Sequence, residues 1–325
     1  GEGRQLAGVA SLHAGAGEHE KAVHAGAAAL PLLKKSGKTE ELIELMRSLI
    51  DAYSALQNLE AASDVVEDMA KYFEDEGDAE GRAAALMATC SIAVTQERLD
   101  DAIRVVGSAQ AIYHQEEDIK GEAEALRLMC DIYSRRDEHK AAVRAAEQAR
   151  AQFRQLGDDA SETTMLYMLA QNAVSLAIRE GARADDNPRA SRVCRDALAK
   201  AAKGAVLSVK QARGIPGNSH LLACSLCVQS QVEMLSGRPG EALRASDEGI
   251  VIFREAGDYA SEASALLLSA DALRATAQYG EAQEAAVEAL RLFRERQDVK
   301  GEERAQELLD FLKQHLRPTP AAALR

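Results

Sequence analysis

A forty-residue spacing governs this chain. Ala22, Ala62, Ala102 and Ala142 follow one another at steps of 40, and Ala202, Ala242 and Ala282 do so again. Eleven residues after the alanine comes a large side chain at Leu33, Phe73, Tyr113, Phe153, Phe253 and Phe293. Four residues later stands a turn signal: Gly37, Gly77, Gly157, Gly217 or Gly257, with Asp78, Asp158 and Asp258 behind three of them. Glu117 and Gln297 interrupt the glycine series. A fixed period of this length means stacked supersecondary units, each too small to bury its own apolar face. The step from Ala142 to Ala202 is 60 rather than 40, which places an insertion of about twenty residues near 181–201.

Inside a unit the apolar period is helical. Ala242, Leu243, Ser246, Gly249, Ile250 and Phe253 obey the i, i+3, i+4, i+7 rule, as do Ala263, Leu266, Leu267, Ala270 and Leu273. Each unit therefore reads as two helices of about four turns joined by short loops. The small residues matter as much as the large ones. Ala242 and Ala282 are expected where two helices cross closely, since a bigger side chain there would overpack the contact.

This pattern resembles the tetratricopeptide repeat, and is most similar to the forty-residue variety of Pins-type polarity scaffolds and rapsyn-like proteins. In the last complete unit Leu266, Ala270 and Leu273 match the large, small and aromatic positions of the family's first helix. Tyr279, Ala282, Ala286 and Ala289 match those of the second. There are departures: the chain has no Trp, the closing Pro is absent, and the family's small Gly is Ile50, Cys90, Cys130, Ala170, Ser230 or Ala270. The resemblance covers roughly residues 2–315. It implies an all-α, right-handed α-solenoid of about seven helix pairs with a C-terminal capping helix. In this reading 1–181 holds repeats one to four and the first helix of five. Residues 182–201 are the insertion, extending a long helix. Residues 202–316 complete the array, and 317–325 form an extended tail.

Local signals refine the map. The first helix, about 2–15, contains Gly3, Gly8 and Gly15, each costing about 1 kcal/mol relative to Ala in a helix interior. Asn187 before Pro188 is a helix start, with Pro at the first helical position. The helix it opens is expected to run to Gln211, roughly 24 residues and 36 Å. Val299 to His315 reads as the cap.

Composition narrows the partners. The formal net charge of −13 argues against nucleic acid or an anionic membrane surface. No run of eighteen apolar residues offers a membrane span. Five cysteines make no disulfide framework, and Cys90 and Cys130 fall on the small position of the first helix, where they read as buried hydrophobes. A soluble protein of a reducing compartment is expected, cytoplasm or an organelle interior. The chain opens on Gly1 rather than Met, which suggests processing or a partial chain, with a targeting segment already removed.

Candidate chemistry is sparse. Gly37-Lys38-Thr39 lacks the earlier glycine and the strand that a phosphate loop needs. His19-Glu20 is followed by His24 at i+5, off the face a zinc-protease helix requires. His220, Cys224 and Cys227 share one helical face and are the weak candidate for a metal, with Cys194 as a conceivable fourth ligand; packing is the plainer role for the thiols. No cofactor, metal or catalytic set is expected, and a non-enzyme is favoured.

What the resemblance implies about binding is more definite. The family's first helices line a concave groove at the second, fifth, ninth, twelfth and thirteenth places. The ninth places here are Asp51, Ser91, Asp131, Gln171, Gln231 and Asp271, all polar on helices otherwise rich in Ala and Leu. Arg47, Arg127 and Tyr167 hold fifth places, with Arg135 and Arg274 nearby. The expected function is a non-catalytic scaffold that holds a peptide or helix of a protein partner in this groove. The alternative is a fixed subunit of a larger multi-protein assembly, docking by its edges, long helix and tail.

Overall fold

The structure, a computed structural model, describes residues 1–183 and 188–316. The expected tail, 317–325, lies outside the described residues, as does Asn187 of the helix-start signal. The described residues form fifteen α-helices and no strand. The chain divides into two compact units, Gly1–Glu138 and His139–Arg325.

The first unit holds α1 (Glu2–Gly15), α2 (His19–Ser36), α3 (Thr39–Ala55), α4 (Leu59–Asp75), α5 (Ala79–Thr95), α6 (Leu99–Gln115) and α7 (Ile119–Arg135). Consecutive helices pack on one another, and first helices of successive repeats also touch, α1 on α3 and α3 on α5. One cluster joins Leu33, Leu42, Met46, Leu49, Met69 and Phe73. A second joins Cys90, Val106, Tyr113 and Ile132.

The second unit holds α8 (His139–Leu156), α9 (Asp159–Gly181), α10 (Pro188–Gly214), α11 (Ser219–Leu235), α12 (Pro239–Ala256), α13 (Tyr259–Ala275), α14 (Tyr279–Arg296) and α15 (Val299–Leu316). Here α9 meets α11, α11 meets α13, and α13 meets α15. Phe253, Leu266, Leu273, Phe293 and Leu312 fill its C-terminal core. In chain order this is an all-α helical-repeat fold, seven pairs and a closing helix.

Two backbone devices recur. Asp78, Asp118, Asp158, Asp258 and Asp298 each accept a hydrogen bond from the backbone N–H three residues on, at 2.9–3.1 Å. Each such cap satisfies an otherwise orphaned helix donor and is worth about 1 kcal/mol. Every helix–helix turn among the described residues from Gly17 to Gln297, apart from the one after α9, places one residue in the left-handed region. Seven are glycines and six are not: Gln57, Glu97, Glu117, Asp137, Ala277 and Gln297, with φ of 56–61°. The two interruptions of the glycine series thus keep the turn geometry without glycine. Each bears the steric cost of that conformation, about 1 kcal/mol.

Packing follows the small residues. Ala62, Ala102, Ala142, Ala242 and Ala282 are completely buried, and the large residue eleven places later is buried each time. Gly81 lies so close to the Phe73 ring that a Cβ would sit 2.1 Å from Cδ1. The fifth repeat departs from the expected register. Ala202 is only half-buried, whereas Ala201 is completely buried, and Ala205, Ser208 and Ala212 continue its stripe. Aligned on burial, Ala201 corresponds to Ala242 and Ala212 to Phe253, so the sequence alanine is one residue out of phase. The loop 215–218 absorbs the difference. Gly204 lets α10 approach α9 closely, a Cβ there meeting the Leu166 carbonyl oxygen at 3.2 Å.

The extra residues lengthen two helices: α9 has 23 residues and α10 has 27, against 17 or 18 in the other repeat helices from α2 on. Between repeats, Glu162 and Glu262 are almost wholly buried and accept from Arg150 and Arg254 of the preceding helices, at 3.1 and 2.7 Å.

The register shift is testable. Ala201→Leu is expected to destabilise the protein by about 1–3 kcal/mol through overpacking. Ala202→Leu should cost well under half as much in urea unfolding. A larger cost at Ala202 than at Ala201 would place the sequence alanine, not its neighbour, at the crossing.

Candidate functional site

In the first unit three successive first helices, α3, α5 and α7, line one groove of about 700 Å³. Its lining repeats at the same forty-residue step as the fold. Glu40, Glu80 and Lys120 stand in the first turns; Glu44, Ala84 and Glu124 come next, then Arg47, Met87 and Arg127, then Asp51 and Ser91. Ile43, Ile50 and Ala88 form apolar floor. One helical period set against three parallel helices is what aligns these rows.

The structure brings Arg47, Asp51 and Arg127 of the expected set into this groove. Arg127 Nε donates to Glu124 at 2.7 Å. Asp131 and Arg135 lie further along α7, where Arg135 Nε donates to Asp131 at 3.0 Å. Glu40, Glu44, Asp51, Glu80, Arg47 and Lys120 are exposed and make no ion pair among the described residues.

Tyr113 enters the same groove from α6, a second helix. Its ring packs over Gly121, where a Cβ would lie 2.3 Å away. Burial first, then the Asp118 carboxylate, raises its hydroxyl above the ordinary tyrosine value, with Arg47 pulling the other way. The hydroxyl makes no hydrogen bond among the described residues. Sequence reasoning had counted Tyr113 only as the repeat's large residue. The available signal was a tyrosine where Phe73, Phe153, Phe253 and Phe293 hold the equivalent place. Glu40, Glu80 and Lys120 were missed because the family's five groove places begin one turn later.

The other expected residues lie in the second unit and form no single site. Tyr167 neighbours Gln171 on α9, and burial, followed by the neighbouring Cys224 and Cys227, pushes the Tyr167 hydroxyl up to about 12. Gln231 is half-buried on α11. Asp271 and Arg274 pair at 3.3 Å and line a cavity of about 280 Å³ with Leu267, Leu308 and Phe311. The Arg274 guanidinium lies 5.3 Å from the Phe311 ring centroid.

His220, Cys224 and Cys227 are not assembled for a metal, and among the described residues no group of three His, Cys, Asp or Glu is placed to hold one. His220 Nε2 is 3.2 Å from Asp258, and the ring meets Phe253 edge-on. Cys224 Sγ lies 3.7 Å from His220 Nδ1, while both thiols pack on the C-terminal core. Burial pushes Cys224 up to about 11 and Cys227 to about 12. Cys194 is elsewhere, 3.3 Å from the Ala177 carbonyl oxygen.

No protein-family model matches the chain, and no curated protein matches it in sequence. Solved structures do match in three dimensions. A STAND signal-transduction ATPase with a tetratricopeptide-repeat sensor, from Pyrococcus horikoshii, superposes with a TM-score of 0.74 at 15% identity, over 93% of this chain. The chain spans 44% of that protein's length. The chain has the tetratricopeptide-repeat fold. The apo form of RapI gives 0.66 at 13% identity, covering 94% of this chain and 79% of RapI. NprR, in complex with its cognate peptide NprX, gives 0.52 at 12% identity, covering 87% and 76%. At these identities the likeness is one of fold. Among the described residues no helix is long and apolar enough to cross a membrane.

Cys90 and Cys130 give a direct check of the packing. Both are completely buried, and burial pushes both thiols up to about 12. At pH 8 a thiol-specific reagent should leave them unmodified in the native protein and label them once urea unfolds it. Mass mapping of the labelled peptides reads the result.

Proposed function

We propose that this protein is a non-catalytic interaction module that holds an extended segment of a protein partner in the groove of α3, α5 and α7. The observation that carries this reading is the alignment of three first helices around one open, mixed apolar and polar trough. Apolar floor supplies affinity that exposed charges alone would not, and the charged rows supply orientation. α3 packs on α5, and a segment of roughly six extended residues reaches some 20 Å across such neighbouring helices. The structural neighbour solved with its cognate peptide is consistent with such use of the fold. Asp131 and Arg135 extend the groove row along α7 in this proposal. Tyr167, Gln171, Gln231, Asp271 and Arg274 form a second, separate first-helix surface.

Ser91 stands mid-groove on α5 and is exposed. Peptides recovered by panning a randomised twelve-residue library on the whole chain should lose affinity at least tenfold on Ser91→Trp, read by fluorescence anisotropy. The melting temperature should be unchanged. Recovered peptides that ignore Ser91→Trp would remove the groove from the account.

A further inference from the structure

The groove's chemistry specifies what kind of segment it takes, given the reading above on which this inference rests. Its unpaired groups are unequal. Four carboxylates, Glu40, Glu44, Asp51 and Glu80, face two cations, Arg47 and Lys120. The remaining charges are already engaged: Glu124 binds Arg127, and Asp118 caps α7 through the Gly121 N–H. Unpaired carboxylates of like sign along one trough repel each other, and an incoming cation relieves that repulsion.

A second observation points the same way. Tyr113 is 7% exposed, lines the groove, and has a hydroxyl with no hydrogen bond among the described residues. The ring is buried while the hydroxyl itself still opens onto the groove, so a ligand donor or acceptor can reach it. The carboxylates of Asp118, Glu80 and Glu124 all act on this hydroxyl, against Arg47 alone among the cations. A basic side chain can donate to the phenol oxygen and face carboxylates at once. An acidic side chain would accept from the hydroxyl but confront three carboxylates.

We propose that the groove of α3, α5 and α7 selects a cationic extended segment of a partner protein, with a lysine or arginine seated between Tyr113 and the Glu40, Glu44 and Glu80 carboxylates. Small apolar side chains of the segment rest on Ile43, Ile50 and Met87.

The test uses the whole chain and the panned twelve-residue peptides. The expected result is that the peptides abolished by Ser91→Trp carry net positive charge. Tyr113→Phe, which keeps the ring that other repeats use, should weaken them roughly threefold to tenfold, as expected for one lost hydrogen bond. Glu44→Gln and Glu80→Gln should each weaken them about twofold to fivefold and flatten the dependence on sodium chloride. Replacing the peptide's basic residues with Gln should have the larger effect.

Ser91-dependent peptides that are neutral or acidic would overturn the cationic selection while leaving the groove itself in place. Cationic peptides indifferent to Tyr113→Phe would overturn the role given to the hydroxyl. Failure to recover any Ser91-dependent peptide would overturn the groove reading and this inference with it.

Discussion

The structure depends on close approach of helices at small residues. Where Ala62, Ala102 or Ala242 is completely buried, two helices meet with no side chain between them beyond a methyl group. The bulk that fills the core is supplied at the other end of the same helix by Phe73, Tyr113 or Phe253. Small and large positions eleven residues apart lie three turns along one face, so each helix is narrow at one level and wide at another. That alternation lets repeats nest. Gly81 beneath Phe73 and Gly204 against α9 push the approach to its limit.

Turn geometry makes the nesting regular. Each turn with a left-handed residue returns the chain after a fixed length, and an aspartate cap restarts the next first helix in phase. Because the phase is held, side chains forty residues apart stand in rows. The groove of the first unit is such a set of rows, and its chemistry is whatever the sequence writes at those places. The fold therefore sets the trough, while a few exposed substitutions set what it prefers.

Much of this was legible in the chain. Helix number, pairing and most boundaries follow from the period of forty and the apolar pattern, and α1 and α15 begin and end within one residue of the expected places. The long helix was expected to stop at Gln211 and runs on to Gly214. The fifth repeat misled, because Ala201 and Ala202 are identical in type and only packing against α9 separates them. The groove was half legible. Arg47, Asp51 and Arg127 came from the resemblance, but Tyr113 belongs to a second helix and reaches the trough through space, over a glycine. A one-dimensional period records which residues share a face. It does not record which side chain from the next layer crosses to it. The trio His220, Cys224 and Cys227 shows the converse: spacing put them on one face, and that face sets both thiols against the C-terminal core.

Methyl NMR offers the most direct test of the groove account. The chain has seven methionines, and Met87 lines the groove while Met69 of α4 is completely buried in the core. In a protein labelled at methionine methyls, titration with a panned peptide should shift the Met87 resonance strongly and leave Met69 in place. A bound peptide that leaves Met87 unmoved, while shifting Met168 or Met234 of the second unit, would contradict the account.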